Sequence, residues 1–244
     1  MGLVSLFYPW GLVLQAAAVI HFIRRRPDAY WLFVIVFLGP IGALIYIGIE
    51  VVPDLGLLSS AFDVFPRRKR IRWLEAAVLD NPSVGNYEEL ADLYLDDGRF
   101  ADARACYDKA ISPRIESLDA FYRRAIAEIH LDDFEAAVSD LERVTAEDPA
   151  YDRNRAAGLL AHAYARTGRH READALFSKV VERSTLSETY YNFAVFLESS
   201  GRPREAGEWA GRILAKKPTM PAYLRRRERG WFRKAQALVK RVAV

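Results

Sequence analysis

The chain has 244 residues, 51% of them hydrophobic, which is enough for one or two domains with a packed core. Its single cysteine, Cys106, excludes an intrachain disulfide. The charge is unevenly distributed: residues 80–219 hold 26 acidic and 19 basic residues, whereas the rest of the chain holds 6 acidic and 16 basic ones. An acidic body between basic flanks predicts that the flanks contact an anionic surface, for which a membrane is the nearest candidate.

Two long apolar stretches open the chain. Residues 3–23 carry no Asp, Glu, Lys or Arg, residues 30–52 carry only Glu50, and three arginines lie between the stretches. About 20 apolar residues suffice for a helix to cross a bilayer, where unpaired backbone groups are costly. The pattern predicts a two-helix transmembrane hairpin over residues 1–52. Buried globular helices and a cleaved signal peptide are disfavoured, because the chain is small and the arginines follow the first apolar run.

The hairpin segment resembles a known family at three motifs: RRRP at residues 24–27, AYWL at 29–32 and LGPIGALIY at 38–46. These motifs are similar to the N-terminal segment of cardiolipin synthases and related phospholipase-D-type proteins. The resemblance covers about the first fifth of the chain and implies an anchor. It does not imply phosphatidyl transfer, because none of the four histidines begins the His-x-Lys-x4-Asp motif of that family.

A linker and basic segment is predicted over residues 53–71. Its basic side chains are those of Arg67, Arg68, Lys69 and Arg70. They are predicted either to contact anionic lipid, at about 1 kcal/mol per charge, or to begin a solvated helix, and both remain open. Basic residues after the hairpin favour a cytoplasmic body at a bacterial inner membrane, although the arginines between the stretches oppose that orientation.

A period of about 34 residues follows, over residues 72–219. Small residues recur in two series with the same spacings of 34, 36 and 33 residues. The first series is Ala91, Ala125, Ala161 and Ala194, and the second is Ala103, Ala137, Ala173 and Ala206. Each series predicts points where two helices approach closely. Turn residues separate the series, including Gly98, Gly168 and Gly201, and glycine there adopts the left-handed conformation that ends a helix.

These positions resemble the tetratricopeptide repeat. The predicted units span about 84–117, 118–153, 154–186 and 187–220, after a leading helix. The resemblance implies an all-α solenoid of antiparallel helix pairs, which must stack because no unit buries its own apolar face. The second unit departs from the pattern at Glu128, where an aromatic residue is usual. The third follows two extra residues around Tyr151, which predicts an altered stacking angle.

The resemblance implies that the first helices of the units form an inner face that binds a peptide or helix, which is the predicted protein partner. The candidate residues on this face are Tyr122, Ile126, His130, Arg155, His162, Arg166, Tyr191 and Val195. An ordinary solvated face is the alternative for each of them. No catalytic set, metal-ligand spacing or phosphate-binding loop is evident, so we expect no enzyme activity, metal or cofactor.

A basic helix is predicted over residues 221–244. Its apolar residues recur at helical spacing, which favours a helix that caps the last repeat. Its basic residues, among them Arg225, Arg226 and Arg229, could also contact anionic lipid. Nucleic acid is not expected as a partner, because the body of the chain is acidic.

Together these features predict a membrane-anchored scaffold or adaptor that binds other proteins through its repeats. The alternative is an accessory subunit of a phospholipid or cell-envelope enzyme complex that acts through the hairpin.

Overall fold

The structure, a computed structural model, describes residues 4–25, 30–47, 59–111 and 117–242. Every regular element in these ranges is a helix, which confirms the predicted all-α fold. The helices are α1 Val4–Arg25, α2 Tyr30–Phe37, α3 Gly39–Tyr46, α4 Ser59–Asp80, α5 Val84–Asp96, α6 Phe100–Ala110, α7 Leu118–His130, α8 Phe134–Glu147, α9 Tyr151–Arg166, α10 His170–Arg183, α11 Ser187–Ser199, α12 Pro203–Ala215, α13 Ala222–Arg227 and α14 Arg229–Val242. The chain forms two compact units, Met1–Arg72 and Trp73–Val244.

Polar side chains inside the first apolar stretch bond to the second stretch. Gln15 donates from Nε2 to the carbonyl oxygen of Ile35 at 3.0 Å, and His21 Nδ1 lies 2.9 Å from the Tyr46 hydroxyl. Trp31 packs edge-on against Tyr46, with ring centroids 5.5 Å apart. These contacts hold α1, α2 and α3 together within the first unit.

The prediction of a transmembrane hairpin over residues 1–52 is wrong. Across the described ranges, no helix combines the length and the apolar character that a bilayer span requires. The second apolar stretch breaks at Gly39, whose φ of +58° separates α2 from α3. Each of these helices has eight residues and rises about 12 Å, against about 30 Å of hydrocarbon. The predicted integral location in the bacterial inner membrane is overturned by the same finding.

The two alanine series lie at helix contacts in the second unit. All eight alanines are completely buried. They lie in the helix pairs α5–α6, α7–α8, α9–α10 and α11–α12, which pack in succession. Aromatic and branched side chains such as Tyr107, Leu141 and Phe177 fill the space between pairs and are also fully buried. The small side chains therefore set the separation of the helices, and the large ones fill the layer between successive pairs.

The turn inside each helix pair has the same backbone geometry. Gly98, Gly168 and Gly201 have φ between 75° and 79°, and Asp132 takes the same place in the second pair with φ 59°. The next residue donates its backbone N–H to a carbonyl five residues back, at 2.8–2.9 Å, in all four turns. This bond satisfies a carbonyl that the helix end would leave unpaired.

The first helices of the third and fourth pairs touch at Gly158. A Cβ atom placed there would lie 2.8 Å from Oγ1 of Thr189, whose side chain is buried. Gly211, also inside a helix, has nothing within 4 Å of the corresponding position. Gly158 is therefore required by packing of α9 against α11, whereas Gly211 is not.

One buried carboxylate interrupts the core between the first and second pairs. Glu128 is 3% exposed, and its Oε1 lies 3.5 Å from Arg104 Nε and 3.9 Å from Arg124 Nε. Arg124 is already bound in a bidentate manner by Asp140, at 2.7 Å for both bonds. Burial and the nearby Asp140 raise the pKa of Glu128 to about 8, so this side chain is protonated at neutral pH.

The C-terminal helix α14 packs on the last pair. It buries Phe232, Ala235 and Leu238 and contacts α12 and α11. Arg241 forms an ion pair with Glu198 on α11. The apolar stripe of the basic segment thus covers the exposed side of the fourth pair.

Substitutions at Gly158 and Gly211 distinguish the effect of packing on stability from the effect of helix propensity. Gly→Ala inside a helix adds about 1 kcal/mol of intrinsic stability. We expect Gly211→Ala to raise the melting temperature and Gly158→Ala to lower it, because the new methyl group meets Thr189. Thermal unfolding followed by circular dichroism measures both, and Gly158→Ala with Thr189→Ala should recover part of the loss. A Gly158→Ala protein more stable than wild type would contradict the close approach.

Replacement of Glu128 should stabilise the protein in a pH-dependent way. The pKa of this group is about 8 in the folded chain and 4.5 in the unfolded chain, so wild-type stability falls as pH rises from about 4.5 to 8. Glu128→Gln removes this loss, so its advantage in free energy of unfolding should grow by about 4 kcal/mol between pH 4 and pH 8. The exposed Glu135→Gln serves as the control. An advantage that is independent of pH would refute the assignment.

Candidate functional site

A cavity of about 140 Å³ opens on the face formed by the first helices of the second, third and fourth pairs. We call it the anchor cavity. It is lined by Ile126, Ile129, His130, Arg155, Leu159, His162, Glu188, Asn192 and Trp231. Four of the eight residues predicted for the inner face, Ile126, His130, Arg155 and His162, therefore meet in one place.

Helical spacing explains why these residues converge. Ile126, Ile129 and His130 are separated by three and four positions on α7 and share one side of it. Arg155, Leu159 and His162 repeat the arrangement on α9, as do Glu188 and Asn192 on α11. Because successive first helices lie side by side, three such faces form a continuous wall.

Each histidine of the cavity packs against a phenylalanine of the preceding helix pair. The ring of His130 lies 4.1 Å from that of Phe100 and nearly parallel to it. His162 meets Phe134 edge-on, with centroids 5.6 Å apart. Burial lowers the pKa of His162 to about 4, helped by Arg166, and burial also lowers the pKa of His130. The His162 ring is neutral at pH 7, so the cavity presents it as a partly apolar wall.

A second, polar cavity of about 450 Å³ adjoins the first and shares Arg155, Glu188 and Trp231 with it. The polar cavity is lined by Asp152, Arg153, Arg155, Leu186, Ser187, Glu188, Arg227, Glu228 and Trp231. Arg155 donates from Nε to Glu188 at 2.6 Å and from a terminal nitrogen to the Tyr122 hydroxyl at 3.2 Å. This ion pair forms the wall between the two cavities.

The predicted residue Tyr122 lies beneath this wall. Its side chain is buried, and its hydroxyl donates to Asp152 at 2.6 Å. Burial and this hydrogen bond raise the pKa of Tyr122, so its hydroxyl remains a donor. Tyr122 thus fixes Asp152 and Arg155 and does not itself line either cavity.

The rim of the polar cavity contains strained backbone. Asp152, Arg153 and Asn154 have φ of 47°, 55° and 66°, a left-handed turn at the start of α9. Each such residue costs about 1–2 kcal/mol when it is not glycine. The strain coincides with the two extra residues seen in the sequence before the third unit. The turn places Arg153 at the polar cavity and Asp152 against Tyr122.

The C-terminal helix covers the far end of the predicted inner face. Trp231 lies 5.7 Å from the ring of Tyr191, and Lys234 Nζ lies 4.5 Å above Trp231. Val195 packs into the same cluster. At the second pair, Arg166 stacks 4.2 Å above Phe134 and reaches Asp132 at 3.5 Å. Tyr191 and Val195 therefore pack against other side chains of this chain. Arg166 lies beside the row of first helices but does not line the anchor cavity.

The basic residues predicted to contact lipid lie in two places. Arg225, Arg226 and Arg229 line a cavity of about 530 Å³ together with Lys217, Arg233 and an apolar floor that includes Phe232. Arg68, Lys69 and Arg70 are exposed on α4, and Arg67 is half-buried. Their contact with an anionic surface stays a prediction.

Sequence reasoning missed Ile129, Leu159, Glu188, Asn192 and Trp231. The first four share a helix face with predicted residues, at offsets of three or four positions, and that spacing could have revealed them. Trp231 carries no such signal, because it comes from a helix outside the repeat period.

Comparison with known proteins identifies the repeats. A family model of the tetratricopeptide repeat matches residues 88–152 and 122–188. Residues 88–188 thus match tetratricopeptide repeats, as the resemblance implied. No curated protein sequence matches this chain significantly. No comparison supports the resemblance to cardiolipin synthases or the alternative that rests on it.

Solved structures show the same fold. A crystal structure of MamA is 24% identical, with a TM-score of 0.51 over 61% of this chain and 87% of that one. A second MamA structure is 22% identical, with a TM-score of 0.54 over 66% and 87%. YrrB, a tetratricopeptide-repeat protein with an unusual peptide-binding site, is 19% identical, with a TM-score of 0.54 over 69% and 87%. At these identities the similarity establishes the helical-repeat fold.

The wall between the cavities can be tested by a double-mutant cycle. We expect Arg155→Ala and Glu188→Ala to be less than additive, with a coupling of about 1 kcal/mol, because both side chains are partly exposed. Urea unfolding of the two single variants and the double variant gives this coupling. If the losses in free energy of unfolding are additive, the ion pair does not stabilise the folded chain.

Proposed function

We propose that this chain is a scaffold that binds an extended peptide segment of a partner protein along the first helices α7, α9 and α11. The observation that carries the proposal is the convergence of three first helices and Trp231 of α14 on one cavity. A repeat wall of this kind offers a surface too long for one small molecule and suited to a chain that runs across several helices.

The chemistry of the wall favours a peptide. Ile126, Ile129 and Leu159 provide apolar contact, whereas Asn192 and the Arg155–Glu188 pair provide hydrogen-bonding groups beside it. A few polar groups around an apolar pocket is the usual composition of a binding site. A catalytic role is not proposed, because the nearest titratable groups are engaged in stacking or ion pairing.

The proposal is tested by selecting random linear peptides displayed on phage against the purified full chain. Wild-type protein should enrich a set of related peptides. Asn192→Trp should abolish the enrichment, because the indole fills the anchor cavity. Ser139→Trp is the matched control, since Ser139 is exposed on the second helix α8 and lines neither cavity.

Two results would oppose the proposal. One is the absence of any enriched peptide on wild-type protein. The other is enrichment of the same peptides by wild type and Asn192→Trp, with circular dichroism showing both variants folded. Trp231→Ala provides a second variant that opens the cavity from the side of α14, and it should weaken binding of the selected peptides.

A further inference from the structure

The cavity that Arg225, Arg226 and Arg229 line measures about 530 Å³ and lies between α12, α13 and α14. We call it the basic cavity. Among the described residues it shares none with the anchor cavity or the polar cavity, so its chemistry is independent of the proposed peptide binding. Its volume lies within the range of about 300–1,000 Å³ that is usual for small-molecule sites.

Helical spacing brings the cations of the basic cavity together. Arg225 on α13 and Arg229 on α14 are four positions apart, and Arg233 follows one turn later. Glu228, between the two helices, keeps a right-handed helical backbone, so the same spacing continues across the junction. Lys217, just after α12, closes the cavity from the opposite side. Three helices thus direct basic side chains into one concave space.

The basic cavity has a single sign of charge. In the part of the chain that the structure describes, its lining holds five basic side chains and no acidic one. Glu228 is the only acidic residue in the sequence from 209 to 244, and it lines the polar cavity instead. A cleft lined by one sign of charge concentrates the electrostatic potential inside it. The basic cavity therefore attracts anions.

The arginines of this cavity differ from those that connect the repeats. Five arginines of the repeats each donate to a carboxylate at 2.6–2.8 Å. In contrast, Arg225, Arg229 and Arg233 form no ion pair with any described residue. These three side chains therefore add repulsion to the folded chain and leave their guanidinium groups available to a ligand. The paired arginines are Arg104, Arg124, Arg155, Arg169 and Arg202.

The amount of charge indicates the kind of anion. One carboxylate balances a single cation, whereas a phosphate ester carries a charge of about −1.5 to −2 and three acceptor oxygens. Guanidinium groups bind such oxygens in pairs, with geometry that a carboxylate or phosphate matches. A second linked phosphate adds further charge and further acceptors. Three unpaired arginines and a lysine therefore suit a diphosphate better than a single carboxylate or phosphate.

The floor of the basic cavity is apolar and consists of Leu214, Ala222 and Phe232. An inorganic ion would leave this floor unused. The cavity also has more than three times the ~150 Å³ of an engineered cavity that holds one benzene molecule. Single-stranded nucleic acid fits less well, because such sites stack bases on exposed aromatic rings and Phe232 is only 6% exposed. The ligand should therefore carry a small apolar group beside its phosphates.

We propose that the basic cavity binds an organic diphosphate, whose phosphate groups contact Arg225, Arg229 and Arg233 and whose apolar group lies on Leu214 and Phe232. Soluble esters and membrane lipids both present this headgroup, so the experiment includes both sources. Binding offsets the repulsion among the cations and so stabilises the folded chain.

The first test is calorimetric titration of the full chain with geranyl diphosphate and with inorganic diphosphate. Geranyl diphosphate should bind at one site per chain and about tenfold more tightly, because part of its hydrocarbon is buried on the floor. Inorganic phosphate should bind about tenfold more weakly than inorganic diphosphate, because it has fewer oxygens for the arginines.

The protein side of the test uses Arg225→Gln with Arg229→Gln. This double variant should bind both diphosphates about tenfold more weakly. Without ligand it should melt no lower than wild type, because repulsion is lost. Arg227→Gln with Lys240→Gln is the matched control. It removes the same charge from α13 and α14 at exposed residues that do not line this cavity, and it should bind as wild type does.

Co-sedimentation with phosphatidylcholine vesicles that contain dioleoylglycerol diphosphate identifies the source of the ligand. Capture of wild type and not of Arg225→Gln with Arg229→Gln would support a lipid-borne diphosphate. Capture of neither, with geranyl diphosphate bound in solution, would support a soluble one. Equal capture of wild type by phosphatidylglycerol vesicles would overturn the requirement for a diphosphate.

Three further results would overturn the inference. The first is equal binding of the diphosphates by wild type and the cavity variant. The second is an equal loss in the cavity variant and the matched control, which would show diffuse attraction to the whole basic segment. The third is binding of a single-stranded oligonucleotide without binding of either diphosphate. None of these results bears on the peptide selection, so the proposed function is tested separately.

Discussion

The close approach of neighbouring helices is the constraint on which the second unit depends. Buried alanines let the two helices of each pair approach, and Gly158 brings the first helices α9 and α11 together until no methyl group fits beside Thr189. At this separation, the side chains of neighbouring first helices form one continuous surface. The cavities are therefore a consequence of packing, since residues on α7, α9 and α11 converge only when the helices lie side by side.

The same packing explains where the structure departs from a regular repeat. The third pair begins with a left-handed turn at residues 152–154, which absorbs the two extra residues before it. The second pair contains Glu128 in the core, where burial and Asp140 raise its pKa and so favour its neutral form. Natural sequences tolerate such local conflicts where other contacts compensate, and functional sites are where the conflicts concentrate. Of these two, only the turn borders a cavity.

Much of the fold could be predicted because a repeat period is visible in sequence. The alanine series predicted the helix pairs, and the turn glycines predicted where the first helix of a pair ends. Part of the site could also be predicted, because helical spacing on α7 and α9 placed Ile126, His130, Arg155 and His162 on one face. Trp231 could not, since its position depends on how α14 docks. The membrane hairpin was wrongly predicted because hydropathy registers apolar runs and takes no account of the break at Gly39 or the hydrogen bonds of Gln15 and His21.

Hydrogen–deuterium exchange of the full chain, with and without a peptide selected on it, tests the central claim most directly. If packed first helices and α14 form one binding wall, the peptide should slow exchange in α7, α9, α11 and α14 and leave the second helices α8, α10 and α12 unchanged. Protection confined to those second helices, or to residues 1–72, would contradict the account.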